Sequence, residues 1–403
     1  MMSMRRALTA ALFIVVVIFL ITQTHKDSAF TVPAKASSAS SKSPASSSSS
    51  SAASVANANA EANSVAGAGS GVISTKQKPM IDMSRMSLRE KLEYIYSYDI
   101  TAKFPAYIWQ TWKYTPADGE FDFREEEATW TLNHPGFIHE VITDAVAFPL
   151  LRLLYASTPE IIDAYTALPL PVLKADFFRY LILYARGGIY SDIDTKALRP
   201  ANEWVPSNVP RDTFGLVIGI EADPDRPDWA EWYSRRIQFC QWTIKAKPGH
   251  PALREVIARI TEETLKRKAA GTLAQTLDKN VIEFTGPAVW TDSIMSYFND
   301  PQYFVNAATD RVDWKNFTGI TAPRRVGDVV VLPITGFSPG VGQMGAQGYD
   351  DPMAMVQHKF EGTWKPESER HIGEQPVEKR EIPVATVGER RVVRNQLSRN
   401  KRM

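Results

Sequence analysis

Between Val172 and Asp194 the sequence changes period once, and that change constrains the fold more than any other stretch of the chain. Leu173, Phe177, Phe178, Leu181 and Ile182 recur at helical spacing and predict a helix over Val172–Arg186. Gly187-Gly188 ends it, because glycine readily takes the left-handed conformation that closes a helix. Ile189-Tyr190 then reads as a short strand running directly into Asp192 and Asp194. Helix, stop, strand and loop in that order is a unit of an α/β sheet. Residues i and i+2 of an extended segment project to the same side, so the two carboxylates leave the strand end together. Strand ends are also where open α/β sheets hold ligands.

Two adjacent carboxylates repel unless a proton or cation lies between them. A hard divalent ion such as Mn²⁺ or Mg²⁺ meets that need and can bridge a diphosphate. Asp-x-Asp alone is common in solvated turns, so the neighbourhood decides. Upstream, Asp176 and Arg179 interrupt an otherwise apolar helix. Two readings stand: an i,i+3 ion pair that pins the helix, or a pair that holds a polar donor beside a metal. Gly187 and Gly188 likewise either admit a ligand close to the backbone or only stop the helix.

The same alternation recurs along the chain. Ser87–Tyr96 reads as a helix and residues 104–112 as a buried strand. Phe214–Ile220 is a further strand, and Pro251–Lys268 is an amphipathic helix. Thr285-Gly286-Pro287 opens a helix to Phe298, with proline at its first turn. Asp328–Ile334 is a late strand. The expectation is an α/β domain over 81–366, a mostly parallel sheet flanked by helices.

Before that domain, Arg5 and Arg6 precede an uninterrupted apolar run from Ala7 to Ile21. A helix of about 15–16 residues spans roughly 24 Å, closer to a thin early secretory membrane than to a plasma membrane. The positive-inside rule puts residues 1–6 in the cytoplasm and makes 7–22 a signal anchor of a type II protein. A cleaved signal peptide is the rival reading, with small residues near Ser28-Ala29. Residues 23–80 are rich in Ser and Ala and read as a flexible stem. Residues 367–403 read as a charged, mobile tail. The formal net charge of +1 gives no pointer to nucleic acid. One cysteine, Cys240, excludes a disulfide within the chain and reads as a small buried hydrophobe. Asn316-Phe317-Thr318 is a glycosylation sequon, usable if the domain is lumenal.

The string Ala175-Asp176-x-x-Arg179-Tyr180-x-x-Leu183-x-x-x-Gly187-Gly188-Ile189-Tyr190-x-Asp192-x-Asp194 closely resembles the central motif of the DxD sugar transferases of glycosyltransferase family 32. Phe104–Lys113 and Trp130–Phe137 resemble further blocks of that family, with Trp109 where a histidine is common. Thr285–Asp292, Asp328–Ile334, Phe337–Gly340, Met344-Gly345 and Asp351–Pro366 are similar to its fungal Golgi α-1,6-mannosyltransferase branch and the mannan-polymerase homologues. The resemblance implies a GT-A fold, GDP-mannose as donor, Mn²⁺ as cofactor, and retention at the anomeric carbon. It further implies an N-glycan core or mannan acceptor, a Golgi membrane location, and subunits of a mannosyltransferase complex as further partners.

Residue roles follow from the same resemblance. Asp194 contacts the metal, and Asp192 binds the sugar or ribose or shares the metal. His358 is the candidate third ligand. Asp176, Arg179 and Tyr180 grip the donor, with Gly187 and Gly188 close to it. Trp109 and Thr111 line the nucleotide pocket, or Trp109 belongs to the core, the commoner place for a tryptophan in such a strand. Gly286 and Pro287 aim a helix N-terminus at the donor. Asp292 contacts the acceptor, stabilises an oxocarbenium-like centre or only supports helix packing, and Trp364 closes the site or caps the sheet. Three other readings compete. A sphingolipid-directed transferase usually carries further membrane segments, and none follows Ile21. A non-catalytic complex subunit has no need of the Asp pair. A metal-dependent hydrolase also uses paired carboxylates.

Overall fold

The computed structural model describes residues 81–274, 281–305 and 310–362. The expected cytoplasmic tail, membrane anchor, stem and charged tail lie outside the described residues, as does Trp364. No helix among the described residues is long and apolar enough to cross a membrane.

Helix α1 (Leu88–Ile95) opens on Ser87, which forms a capping box with Glu90. Strand β1 (Tyr107–Thr111), helix α2 (Arg124–Asn133) and strand β2 (Ile138–Ile142) follow. Helices α3 (Asp144–Leu154), α4 (Pro159–Ala167) and α5 (Pro171–Arg186) come next. The chain then gives β3 (Gly188–Ser191), β4 (Thr195–Ala197), β5 (Leu216–Ala222), β6 (Gln238–Phe239) and β7 (Thr243–Ala246). Helices α6 (Pro251–Ala269), α7 (Val281–Phe284) and α8 (Pro287–Phe298) precede strands β8 (Arg324–Val326) and β9 (Val329–Leu332). A short α9 (Ile334–Phe337) and β10 (Val356–His358) complete the described region.

The main sheet has the order β2-β1-β3-β7-β5-β9-β8, with β6 paired to β5. The expected mostly parallel sheet is corrected here: the sheet is mixed. β1 runs parallel to β2 and β3, and β5 parallel to β9. β7 lies antiparallel to both β3 and β5, and β8 antiparallel to β9. Parallel neighbours need a long crossover, usually a helix. The chain between β5 and β7 holds only the single 3-10 turn Trp229–Glu231 and the short β6, so it returns antiparallel.

This order has a direct consequence for function. With β7 antiparallel to both neighbours, β3 and β5 point the same way. The C-terminal ends of β1, β3, β5 and β9 therefore share one edge of the sheet. Thr111, Asp192 and Glu221 all emerge there.

One apolar layer packs α5 and α6 on the sheet through Phe177, Phe178, Leu181, Leu253, Val256 and Ile260, all buried. A second layer on the other face holds Trp204, Phe214, Val217, Val330 and Phe337. Burying each such side chain stabilises the fold by about 1.5–3 kcal/mol. Cys240 is buried and free, as expected for a small hydrophobe.

Candidate active site

Helix α5 ends where the sequence predicts. The Gly187 N–H donates to Leu183 O at 2.8 Å, and Gly187 takes a positive φ of 64°. A Cβ on Gly188 would lie 2.6 Å from Tyr107 O, so β3 packs against β1 only without one. Both glycines sit at the start of β3, and Tyr107, Pro105, Ala246 and Pro248 fill the space around them. Their donor-binding assignment is corrected: they face the protein, at the end of β3 opposite the Asp pair. Trp109 is corrected for the same reason. It is buried, stacks on Tyr107, and its Nε1 donates to Gly187 O at 2.9 Å.

At the other end of β3 the Asp pair is held by its backbone. The Asp192 N–H donates to Trp242 O at 2.8 Å, and Gln110 Nε2 donates to Asp192 O at 3.1 Å. Strand β10 pairs antiparallel with β4, with His358 opposite Thr195. That pairing seats the imidazole beside Asp194, with Nε2 3.2 Å from Asp194 Oδ1. The Glu361 N–H donates to Asp194 Oδ2 at 3.2 Å. Trp242 and Phe360 flank the His358 ring at 4.5 and 4.1 Å.

One ligand atom each from Asp192, Asp194 and His358 lies within 4.8 Å of the others. Two carboxylates and an imidazole suit Mn²⁺ or another divalent ion of similar hardness. His358 Nδ1 is buried with no hydrogen-bond partner among the described residues. Burial pushes the Asp192 carboxyl up to about 6, with Arg179 pulling it down and Asp194 adding to the rise. Burial also pushes Asp194 up, but the charge and hydrogen bond of His358 outweigh it and hold that carboxyl below its ordinary value. Burial disfavours the His358 imidazolium, yet Asp194 and Asp192 raise it above the ordinary histidine range.

The i,i+3 ion pair of Asp176 and Arg179 forms, and Arg179 also reaches the Asp pair. Arg179 Nη1 lies 2.9 Å from Asp176 Oδ1, one turn back on α5. Its Nη2 donates to Asp192 Oδ1 at 3.0 Å, and the guanidinium lies 5.1 Å from the Tyr190 ring centroid. Arg179 is only 3% exposed and Asp176 only 2%. Asp176 also accepts from Gln241 Nε2 at 3.1 Å and Thr285 Oγ1 at 2.8 Å. Tyr180 lies fully behind this layer, its hydroxyl donating to Gln241 Oε1 and Thr285 O. Thr111 Oγ1 meets Tyr190 OH at 3.0 Å at the edge of the group.

Gly286 caps α8 with Pro287 at its first turn, and Thr285 ties that helix start to Asp176. Asp292 lies on α8 beside Arg235. Arg235 Nε and Nη2 hold it in a two-pronged ion pair at 2.7 and 2.6 Å, and Arg235 also pairs with Glu283. Gln110, Gln241 and Trp242 carry no motif of their own, and sequence reasoning missed them. Glu221 was also missed, although an acid at the end of an apolar strand is a readable signal.

A family model for glycosyltransferase sugar-binding regions containing the DXD motif matches residues 122–210. The chain is 48% identical to the initiation-specific alpha-1,6-mannosyltransferase of Candida albicans, over 69% of this chain and 77% of that protein. It is 49% identical to the Schizosaccharomyces pombe protein of that name, over 66% of this chain and 64% of that protein. Identity to the Saccharomyces cerevisiae protein of that name is 36%, over 71% of this chain and 83% of that protein.

Proposed function

The chain belongs to the initiation-specific α-1,6-mannosyltransferase family, and we propose that it moves mannose from GDP-mannose onto an N-glycan core or mannan acceptor, forming an α-1,6 linkage with retention. One observation carries this reading: Asp192, Asp194 and His358 converge at the C-terminal edge of the sheet, braced by the buried Arg179. The mixed sheet with helices on both faces is consistent with a GT-A arrangement.

Asp192, Asp194 and His358 would hold a divalent ion, Mn²⁺ in our reading, and positive charge from it would offset the charge of the leaving diphosphate. The protein's own groups do the rest. Asp194 is fixed by His358 and the Glu361 N–H, so it keeps one orientation. Arg179 holds Asp192 and Asp176 in one plane of charge and remains cationic beside the donor. Gln241 and Thr285 lock Asp176, which leaves that corner rigid before substrate arrives. The run Ala7–Ile21, with Arg5 and Arg6 before it, supports a type II Golgi membrane location with this domain lumenal.

The test is direct. Full-length protein is incubated with Mn²⁺, a panel of nucleotide sugars and a mannose-rich N-glycan, and the product is read by mass spectrometry and linkage analysis. Transfer from GDP-mannose into an α-1,6 linkage is expected. Activity with a different nucleotide sugar alone overturns the donor assignment.

A further inference from the structure

We propose that Glu221 is a further catalytic residue: its carboxylate meets the transferred sugar and stabilises the positive charge that builds there as the bond to the diphosphate breaks. The proposal rests on the mannosyl-transfer reading above.

The sheet itself supplies the placement. Lys245 of β7 pairs with Ile189 on one side and Val217 on the other, so those two residues stand level. Glu221 lies as far beyond Val217 as Ile193 lies beyond Ile189. It therefore emerges at the level of the Asp192–Asp194 turn, two strand spacings or roughly 10 Å across the sheet. The pairing of β5 with β6 shifts register between Ile220 and Ala222, which leaves Glu221 as the bulged residue. Bulges re-aim a side chain and are frequent beside active sites. The charges of His358, Arg179 and Asp192 act on the Glu221 carboxyl.

Charge accounting separates this carboxyl from its neighbours. Asp176 and Asp192 share Arg179, and Asp194 has His358. The hydrogen-bond partner of Glu221 among the described residues is the neutral Gln238 Nε2, at 3.1 Å. Burial pushes Glu221 up to about 7, and Gln238, His358 and Arg179 only partly offset it. A carboxylate left without its own cation in such a site is costly until a bound group completes it. The cationic centre of a breaking glycosyl bond is such a group.

In the step, the bond from the anomeric carbon to the diphosphate oxygen breaks and its electron pair leaves with the diphosphate. A lone pair of the acceptor hydroxyl forms the new carbon–oxygen bond, and the hydroxyl proton passes to the departing phosphate oxygen. Glu221 contributes its negative charge and forms no covalent bond.

The experiment compares wild type, Glu221→Gln and Glu221→Asp as full-length proteins. It measures kcat and KM for transfer from GDP-mannose, calorimetric GDP affinity with Mn²⁺, and melting temperature. Glu221→Gln is expected to lower kcat on the order of 100-fold while GDP affinity stays within about threefold. Glu221→Asp, which keeps the charge, is expected to recover roughly tenfold over Glu221→Gln. A Glu221→Gln kcat within about threefold of wild type overturns the proposal and leaves the reading of the site standing. A loss of kcat matched by lost GDP affinity or early melting in both variants also overturns it, by assigning Glu221 a structural role. A wild type inactive with GDP-mannose but able to bind GDP and Mn²⁺ overturns the mannosyl-transfer reading, and the proposal falls with it.

Discussion

His358 Nε2 lies 3.2 Å from Asp194 Oδ1, although the two residues are 164 positions apart in the chain. The β4–β10 ribbon makes this contact, because it sets His358 opposite Thr195, one residue past Asp194. Replacing His358 with Ala removes one of three donor groups and the partner that orients Asp194. Mn²⁺ affinity and kcat are expected to fall by roughly 100-fold, the upper scale for partners that orient metal ligands. Melting temperature measured alongside separates this from unfolding. A variant with wild-type Mn²⁺ dependence contradicts the ligand assignment.

Arg179 is the only cation that both Asp176 and Asp192 contact among the described residues. Arg179→Met leaves the buried Asp176 and the partly buried Asp192 without their shared cation. Breaking a buried ion pair from one side costs about 3–5 kcal/mol, and that loss is expected in chemical denaturation. Activity is expected to vanish with it. Arg179→Lys is not conservative, because an ammonium cannot hold two carboxylates in a fixed fork.

Asp292 yields the opposite expectation. Its ion pair with Arg235 is 41% exposed on the Asp292 side chain, so removing the charge costs at most about 1 kcal/mol. Asp292→Asn is expected to keep kcat within about threefold of wild type. A much larger loss at unchanged stability would return Asp292 to the reacting centre.

A pH-dependent device sits at the far edge of the sheet. Asp328 accepts from Tyr98 OH at 2.5 Å and Tyr297 OH at 2.8 Å, with His250 Nε2 3.3 Å away. Burial pushes this carboxyl up, but His250 and the two phenols outweigh it and hold it well below its ordinary value. A folded pKa below the unfolded 3.8 means the unfolded chain binds the proton more tightly. The stabilisation is therefore complete above that value and is lost as pH falls through the lower folded pKa. Asp328→Asn is expected to cost about 2–3 kcal/mol near neutral pH, with the gap to wild type narrowing below pH ~4. A gap that stays constant with pH would show that the charge of Asp328 carries none of it.

The sequence reached α5, the glycine stop, β3 and the Asp pair because each rests on local signals within one stretch: helical period, a left-handed glycine and strand alternation. It placed His358 only through resemblance, since no local signal reports a strand pairing across the whole domain. The mixed sheet was missed because β6 and β7 are too short to show a period, and direction depends on the connection between strands. For Trp109 and Asp292 a motif position did not reveal the partners. Trp109 turned out to bond Gly187, and Asp292 to pair with Arg235. Gln241 and Thr285 lie far from Asp176 in sequence, so their hold on it could be seen only in three dimensions.

The central claim is that Asp192, Asp194 and His358 form one metal site that serves the donor diphosphate. The most direct measurement is Mn²⁺ binding to the full-length protein by electron paramagnetic resonance, with and without GDP, in wild type and in an Asp192→Ala, Asp194→Ala double variant. A single tight Mn²⁺ is expected in wild type, strengthened by GDP and absent from the double variant. Equal Mn²⁺ binding in both proteins, or full transfer activity in the double variant, contradicts it.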